Sequence, residues 1–289
     1  MATIKAFVTR YSVPTYFGLA FAISWGGILL VLGPGGFTGT TQPTDVLLPL
    51  VYVAMCAGPS VAGILLTGLA DGKAGVRELV SRLLRWRVGG DWYAVALLTA
   101  PLVMMTVLLT LSLTSPRFLP GILVSNDKAT LLLSGLAGGL MAAFFEELGW
   151  TGFAVPRLRR RHGVLTTGLI VGLLWGAWHF PLFSGGDLSG ALSPVVFLPV
   201  QLFSMLPPFR VLMAWVYDRT GSLLVAMIMH VSLTTSTLTL QPLEVAGIRA
   251  LSYDLVLAAA LWVVVVAVAM AKGARLSRQP VPCEHTGTT

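Results

Sequence analysis

Charged residues are scarce in this sequence of 289 residues. They make up 11% of it, against about 25% in an ordinary soluble domain. Hydrophobic residues account for 55%, and the mean hydropathy is +0.82. No polar stretch is long enough for a separate soluble domain. This composition excludes an ordinary soluble enzyme and indicates a polytopic membrane protein.

Cysteine is also nearly absent. Cys56 lies in an apolar run and Cys283 lies close to the C-terminus. Two thiols so far apart argue against a disulfide framework and against a thiolate metal site. Internal repeats, including the inverted halves of many transporters, are not evident either. We therefore predict one transmembrane domain over residues 1–274, followed by a polar cytoplasmic tail over residues 275–289.

What the sequence does contain is a series of apolar stretches, each near the ~20 residues that span a bilayer. The eight stretches lie at about 14–33, 46–70, 92–114, 130–155, 164–183, 194–217, 221–240 and 251–271. The predicted fold class is all-α, a polytopic membrane helix bundle of about eight transmembrane helices. Residues 71–90 combine helically spaced apolar residues with arginines, which predicts an amphipathic helix at the lipid interface.

The basic residues are distributed unevenly around these stretches. Of 19 Lys and Arg residues, 15 precede the first stretch or follow the second, fourth, sixth and eighth. Arg117, Lys128 and Arg249 fall on the opposite side, and Arg210 lies within a stretch. The positive-inside rule then places both termini in the cytoplasm. This pattern describes membrane topology, so we expect a membrane lipid partner and no nucleic acid; the composition is typical of a bacterial protein.

Two adjacent carboxylates, Glu146 and Glu147, interrupt the apolar run from Leu131 to Val155. An ionised side chain at the centre of a membrane helix costs roughly 2.5–3.5 kcal/mol, so ionisable groups there are candidates for function. Two histidines, His179 and His230, lie in later apolar stretches. At ~1.5 Å per residue, Glu146 and His230 both lie roughly 14 Å from the basic turns, and His179 roughly 22 Å along its helix. We expect these groups to meet near mid-membrane.

The residue types in this cluster fit the hydrolysis of a carbonyl compound. A carboxylate and a neutral imidazole can deprotonate a water in a dry cavity. A second imidazole with a hydroxyl, as in His230 and Thr234, can stabilise the oxyanion. The same side chains, Glu146, His179 and His230, would alternatively suit a catalytic zinc. Arg210 is the available ion-pair partner for a glutamate, and we interpret Trp150, Trp175 and Trp178 as packing or lining residues.

Three motifs span about 90 residues in a recognisable order: EELGWTGFAVPRL from Glu146, WGAWHFP from Trp175 and HVSLT from His230. In this the chain resembles the CPBP intramembrane protease family, which includes type II CAAX prenyl endopeptidases, Abi proteins and bacteriocin-processing proteins. The family pattern is Glu-Glu followed four residues later by Arg, an aromatic residue followed four later by His, and His followed four later by Asn or a similar small polar residue. The chain departs from this pattern at Thr151, in place of Arg, and at Thr234, in place of Asn.

The resemblance implies an intramembrane endopeptidase. In it, Glu146 and His179 activate water, Glu147 supports the carboxylate pair, and His230 with Thr234 binds the oxyanion. The implied substrate is a membrane peptide or protein, either a prenylated CAAX protein or a peptide such as a bacteriocin. We expect no required cofactor, with zinc as the alternative. Because of the two departures, a catalytically silent immunity or scaffold protein is the second hypothesis, and a proton-coupled transporter the third.

Overall fold

The computed structural model describes residues 2–183, 194–243 and 245–271, and within these ranges it contains helices and no strands. The predicted tail over residues 275–289, with Cys283, lies outside them. The α-helices are α1 (Ala2–Arg10), α2 (Ser12–Leu32), α3 (Gly35–Thr38), α4 (Leu48–Leu83), α5 (Gly90–Ser112), α6 (Gly121–Val124), α7 (Lys128–Gly149), α8 (Val155–Arg159), α9 (Val164–Trp178), α10 (Phe180–Phe183), α11 (Pro194–Phe203), α12 (Leu206–Thr220), α13 (Leu223–Leu240) and α14 (Ile248–Ala271). A 3₁₀ turn forms at Pro116–Phe118 and a π-helix at Trp150–Ala154.

The predicted class, a polytopic membrane helix bundle, is confirmed. Among the described residues, seven helical segments are long and apolar enough to cross a membrane. The fifth predicted stretch, 164–183, instead forms the shorter apolar helix α9 followed by α10. Pro181 explains this break, because proline has no N–H for the carbonyl four residues earlier and disfavours helical geometry in the residue before it. The helix therefore stops beside His179.

The second stretch and the predicted interfacial helix are joined in α4. Gly72 has φ 64° and ψ −153°, outside the helical region, so α4 consists of two helical segments that meet at a kink there. Glycine adopts such a conformation at little cost. The segment beyond the kink ends at Leu83, earlier than the predicted boundary at residue 90. It buries Leu79 and exposes Val76 and Val80.

Glycines allow α7 and α9 to approach their neighbours closely. A side chain at Gly139 would lie 2.9 Å from the backbone oxygen of Val231 on α13. One at Gly168 would lie 2.5 Å from the Cα of Val211 on α12. Contacts this short leave no room for a Cβ, so the backbones of these helix pairs are in direct contact. This close packing brings α7, α9, α12 and α13 together around the polar residues.

The ends of α4, α8 and α12 and the start of α13 meet at one end of the bundle, which we call the basic end. Arg82 donates to the hydroxyl of Tyr217 at 2.8 Å. Arg159 pairs with Asp218 at 2.7 Å, and Ser222 donates to the carbonyl of Arg85 at 2.6 Å. The structure thus gathers three of the basic clusters that the sequence assigned to one side of the membrane.

Candidate functional site

The two glutamates lie in the last turn of α7, immediately before the π-helix Trp150–Ala154. A π-turn inserted into an α-helix is rare and frequently marks a functional site. Because consecutive helical residues point about 100° apart, Glu146 and Glu147 face different neighbours. Each carboxylate therefore has its own environment.

Glu147 is fully buried and belongs to an ion pair. Its side chain is 0% exposed, and Arg210 on α12, also 0% exposed, donates from Nη1 to both carboxylate oxygens at 2.9 Å. Thr151 donates its hydroxyl to Oε2 of the same carboxylate. His230 places Nδ1 2.8 Å from Oε1. The cation that the family pattern places four residues after the second glutamate is thus supplied here by α12.

Glu146 has a different set of neighbours. Its Oε2 accepts a hydrogen bond from the indole Nε1 of Trp175 at 2.7 Å, and the residue is 4% exposed. The guanidinium carbon of Arg210 lies 4.1 Å from the centre of the same indole ring, which is a cation–π geometry. Trp175 therefore contacts Glu146 at its edge and the cation that neutralises Glu147 at its face.

The histidine contacts determine where their protons lie. Nδ1 of His179 is 2.8 Å from the carbonyl oxygen of Trp175. A carbonyl only accepts, so this nitrogen carries the proton, and in the neutral ring Nε2 is the basic nitrogen. At His230 the carboxylate of Glu147 likewise accepts from Nδ1. In both residues Nδ1 is occupied by these contacts, so Nε2 is the ring nitrogen that can interact with a substrate or a water.

A cavity of about 400 Å³ connects these groups. Four of the five predicted site residues line it, namely Glu146, His179, His230 and Thr234. Glu147, the fifth, is not among the lining residues and lies behind them with Arg210. The volume of the cavity is within the range of about 300–1,000 Å³ that is usual for ligand sites. The structure thus brings the predicted residues together, four of them at the cavity surface and Glu147 behind them.

Sequence reasoning missed part of the site. Trp175 and Trp178 do line the cavity, as interpreted, but the hydrogen bond from Trp175 to Glu146 was not foreseen. Its signal was the spacing of four residues between Trp175 and His179, which places both on one helix face. Tyr52, Cys56 and Gln201 also line the cavity. Nothing in their sequence context distinguishes them from other residues of apolar helices.

The alternative of a zinc ion held by Glu146, His179 and His230 does not fit the arrangement. Among the described residues, no group of three or more His, Cys, Asp and Glu side chains is placed to hold a metal ion. The donors of a three-ligand site do not converge.

The helices and this buried site define an integral membrane protein that carries carboxylates and histidines around a cavity inside its bundle. Residues 128–236, which contain all three motifs, match the model of the family described as type II CAAX prenyl endopeptidase Rce1-like. The chain is also 21% identical over 230 residues to CAAX prenyl protease 2 of Methanococcus maripaludis, across 76% of this chain and 82% of that protein. The resemblance inferred from the motifs is confirmed, and both comparisons support a CAAX-protease-like intramembrane endopeptidase.

Proposed function

We propose that this protein hydrolyses a peptide bond of a membrane peptide or protein with a water activated by Glu146 and His179. The observation that carries the proposal is the division of the two carboxylates. Glu147 is neutralised by Arg210, whereas Glu146 lines a cavity together with two histidines. A carboxylate that faces a cavity without a cation of its own is suited to accept a proton.

In the first step, the water lies between the carboxylate of Glu146 and Nε2 of His179. Its oxygen attacks the carbonyl carbon of the scissile peptide bond as its proton moves to this pair. Trp175 holds Glu146 through the indole N–H. The backbone carbonyl of Trp175 holds His179 in the tautomer whose Nε2 can accept the proton. One tryptophan therefore orients both members of the pair.

The oxyanion formed by this attack needs donors. With a proton on each ring nitrogen, His230 donates from Nδ1 to Glu147 and from Nε2 to the oxyanion. The hydroxyl of Thr234, one helical turn further along α13, provides a second hydrogen bond. When the intermediate collapses, the C–N bond breaks and the proton held by Glu146 and His179 passes to the leaving amine. Water is thereby added across the peptide bond.

The proposed partners are membrane lipid and a peptide substrate. The relative's name specifies a CAAX prenyl protease, so a prenylated protein is one substrate class to test, and a peptide without a lipid is the other. Most of the cavity wall is apolar, with residues such as Ile28, Met55 and Leu233. Either an isoprenoid chain or an apolar peptide segment would suit such a wall.

The test is cleavage of a labelled library by purified protein in nanodiscs. The library contains prenylated CAAX peptides and unmodified membrane peptides. We expect the wild type to cleave a subset and Glu146→Gln, which is nearly isosteric, to lose this activity by a factor of about 10² to 10⁴. The matched control is Glu78→Gln, an exposed glutamate at the basic end. Cleavage by Glu146→Gln at the wild-type rate would refute the proposed role.

A further inference from the structure

The end of α9 departs from the hydrogen-bonding pattern of an α-helix. In a continuous helix the N–H of His179 would donate to the carbonyl of Trp175, four residues earlier. It donates instead to the carbonyl of Gly176, three residues earlier, at 3.0 Å, which is a common way for a last turn to tighten. The carbonyl of Trp175 is thereby left for another donor. The ring Nδ1 of His179 occupies it at 2.8 Å.

The carbonyl of Trp178 belongs to the same planar peptide unit as the N–H of His179. In a continuous helix this carbonyl would accept from the N–H of Leu182, which donates instead to the carbonyl of His179 at 2.9 Å. A buried carbonyl without a partner is costly, and Trp178 is 1% exposed. The partner comes from another helix, because Trp25 on α2 donates its indole N–H to this oxygen at 3.0 Å.

Aromatic neighbours hold Trp25 in this position. The centre of its ring lies 5.0 Å from that of Phe21, 5.7 Å from that of Phe37 and 6.2 Å from that of Phe180, distances that are usual for aromatic pairs. Trp25 itself is not among the residues that line the cavity. Any effect of Trp25 on a reaction in the cavity therefore passes through the peptide unit that it holds.

We propose that Trp25 is a positioning residue for His179. Its hydrogen bond to the carbonyl of Trp178 fixes the orientation of the peptide unit whose N–H donates to Gly176. The carbonyl of Trp175 then stays available to Nδ1 of His179, so Nδ1 keeps its proton and Nε2 is the basic nitrogen. The inference rests on the proposed function for the role of Nε2 in catalysis, whereas the tautomer of His179 is a property of the protein without substrate.

Two substitutions at Trp25 separate its hydrogen bond from its bulk. Trp25→Phe keeps an aromatic ring of similar character and has no N–H. Trp25→His is smaller, but Nε2 of an imidazole occupies the same place in its five-membered ring as Nε1 of an indole and can carry a proton. A packing role would make Trp25→Phe the milder change, and a hydrogen-bonding role would make Trp25→His the milder one. Trp86→Phe and Trp86→His, at a tryptophan that is 61% exposed, are the matched controls.

The first readout is the steady-state kinetics of one cleaved peptide. We expect Trp25→Phe to lower kcat by a factor of about 3 to 10, the effect of one neutral hydrogen bond, and to leave KM unchanged. Trp25→His should recover most of the wild-type kcat, although it fills less space. The two Trp86 variants should match the wild type. A kcat of Trp25→Phe equal to or above that of Trp25→His would overturn the proposal.

The second readout is the tautomer itself, measured without a substrate from the ring ¹⁵N chemical shifts of labelled histidine. The sequence contains four histidines, and His179→Gln identifies the signal of His179. The samples are nanodiscs in alkaline buffer, where an ordinary imidazole is neutral. We expect the Nδ1–H tautomer of His179 in the wild type and in Trp25→His, and a mixture with the Nε2–H tautomer in Trp25→Phe.

The spectra also separate this inference from the proposed function. The Nε2–H tautomer of His179 in the wild type, or an unchanged tautomer in Trp25→Phe, would overturn the role of Trp25 even if the protein cleaves peptides. The expected spectra from a protein that cleaves no peptide would reject the protease and retain Trp25 as the residue that positions His179.

Discussion

Glu146 and Glu147 are neighbours in the chain, and their surroundings differ in almost every respect. Glu147 is 0% exposed and has contacts from Arg210, Thr151 and His230. Glu146 lines the cavity and accepts a hydrogen bond from the neutral indole of Trp175. The comparison shows that one carboxylate belongs to a buried ion pair, whereas the other lines the cavity, where our proposal requires a proton acceptor.

The difference has a simple geometric origin. Consecutive helical residues diverge by about 100°, so α7 directs one carboxylate toward α12 and the other toward the cavity. A buried ion pair brings little net stability compared with an apolar pair, yet the loss of one partner leaves an uncompensated charge. The pair formed by Glu147 and Arg210 should therefore be sensitive to single substitutions. Substitutions in the ion pair should therefore change mainly the free energy of unfolding, whereas substitutions at the cavity should change mainly the rate of cleavage.

The largest effect is expected from Arg210→Met, which leaves Glu147 without its cation. We expect a loss of about 3–5 kcal/mol in the free energy of unfolding, measured by chemical denaturation in detergent. Arg87→Met, at an exposed arginine, is the matched control and should change it little. Equal stability of the two variants would contradict the importance of the ion pair.

The same network allows a compensating change. In an Arg210→Ala background, Thr151→Arg places the cation at the position where the family pattern has it. Because Thr151 already contacts Glu147, the new guanidinium should reach the carboxylate and recover a large part of the lost stability. A double variant no more stable than Arg210→Ala would show that the cation cannot be moved.

The next effect concerns Thr234, on the cavity side. If its hydroxyl stabilises the oxyanion, Thr234→Ala should lower kcat by about 10² to 10³-fold, the usual cost of losing one such donor. Thr234→Asn restores a donor and should retain most of the activity. Steady-state kinetics on one cleaved peptide measures both variants. A reduction confined to KM would instead indicate a role in substrate binding.

A smaller effect is expected at Trp175, which connects the two carboxylates. Trp175→Phe removes the hydrogen bond to Glu146, and the loss of a bond to a charged group costs about 1.5–3 kcal/mol. We expect kcat to fall about 10- to 100-fold while the protein remains folded. Trp86→Phe, at an exposed tryptophan, is the control. An unchanged kcat would show that the hydrogen bond from Trp175 does not orient Glu146 for the reaction.

The smallest effect is expected at Ser222, far from the cavity. This residue caps α13 by accepting a hydrogen bond from the N–H of Val225 at 3.2 Å, and its hydroxyl donates to the carbonyl of Arg85. Because Ser222→Ala removes both bonds, it should cost about 1–2 kcal/mol. Thermal unfolding should detect the change, and kcat should not change. A large loss of activity would mean that the basic end is coupled to the site.

The sequence was sufficient to predict the fold class and four of the residues that line the cavity. An ionisable residue inside a stretch of membrane length is costly, so His179 and His230 could be selected from their positions within apolar stretches. The end of α9 beside His179 and the kink of α4 at Gly72 were not predicted, because each depends on the backbone conformation at a single position. The resemblance implied different roles for Glu146 and Glu147, but which of them pairs with Arg210 was beyond reach, since that depends on which helices pack against each face of α7.

The most direct measurement compares Glu146→Gln with Glu147→Gln in one preparation, recording both peptide cleavage and the free energy of unfolding. The account predicts that Glu146→Gln remains as stable as the wild type and loses cleavage. It predicts that Glu147→Gln loses about 3–5 kcal/mol, because Arg210 is left buried and unpaired. Retained cleavage in Glu146→Gln, or an unchanged stability of Glu147→Gln, would contradict the division of the two carboxylates.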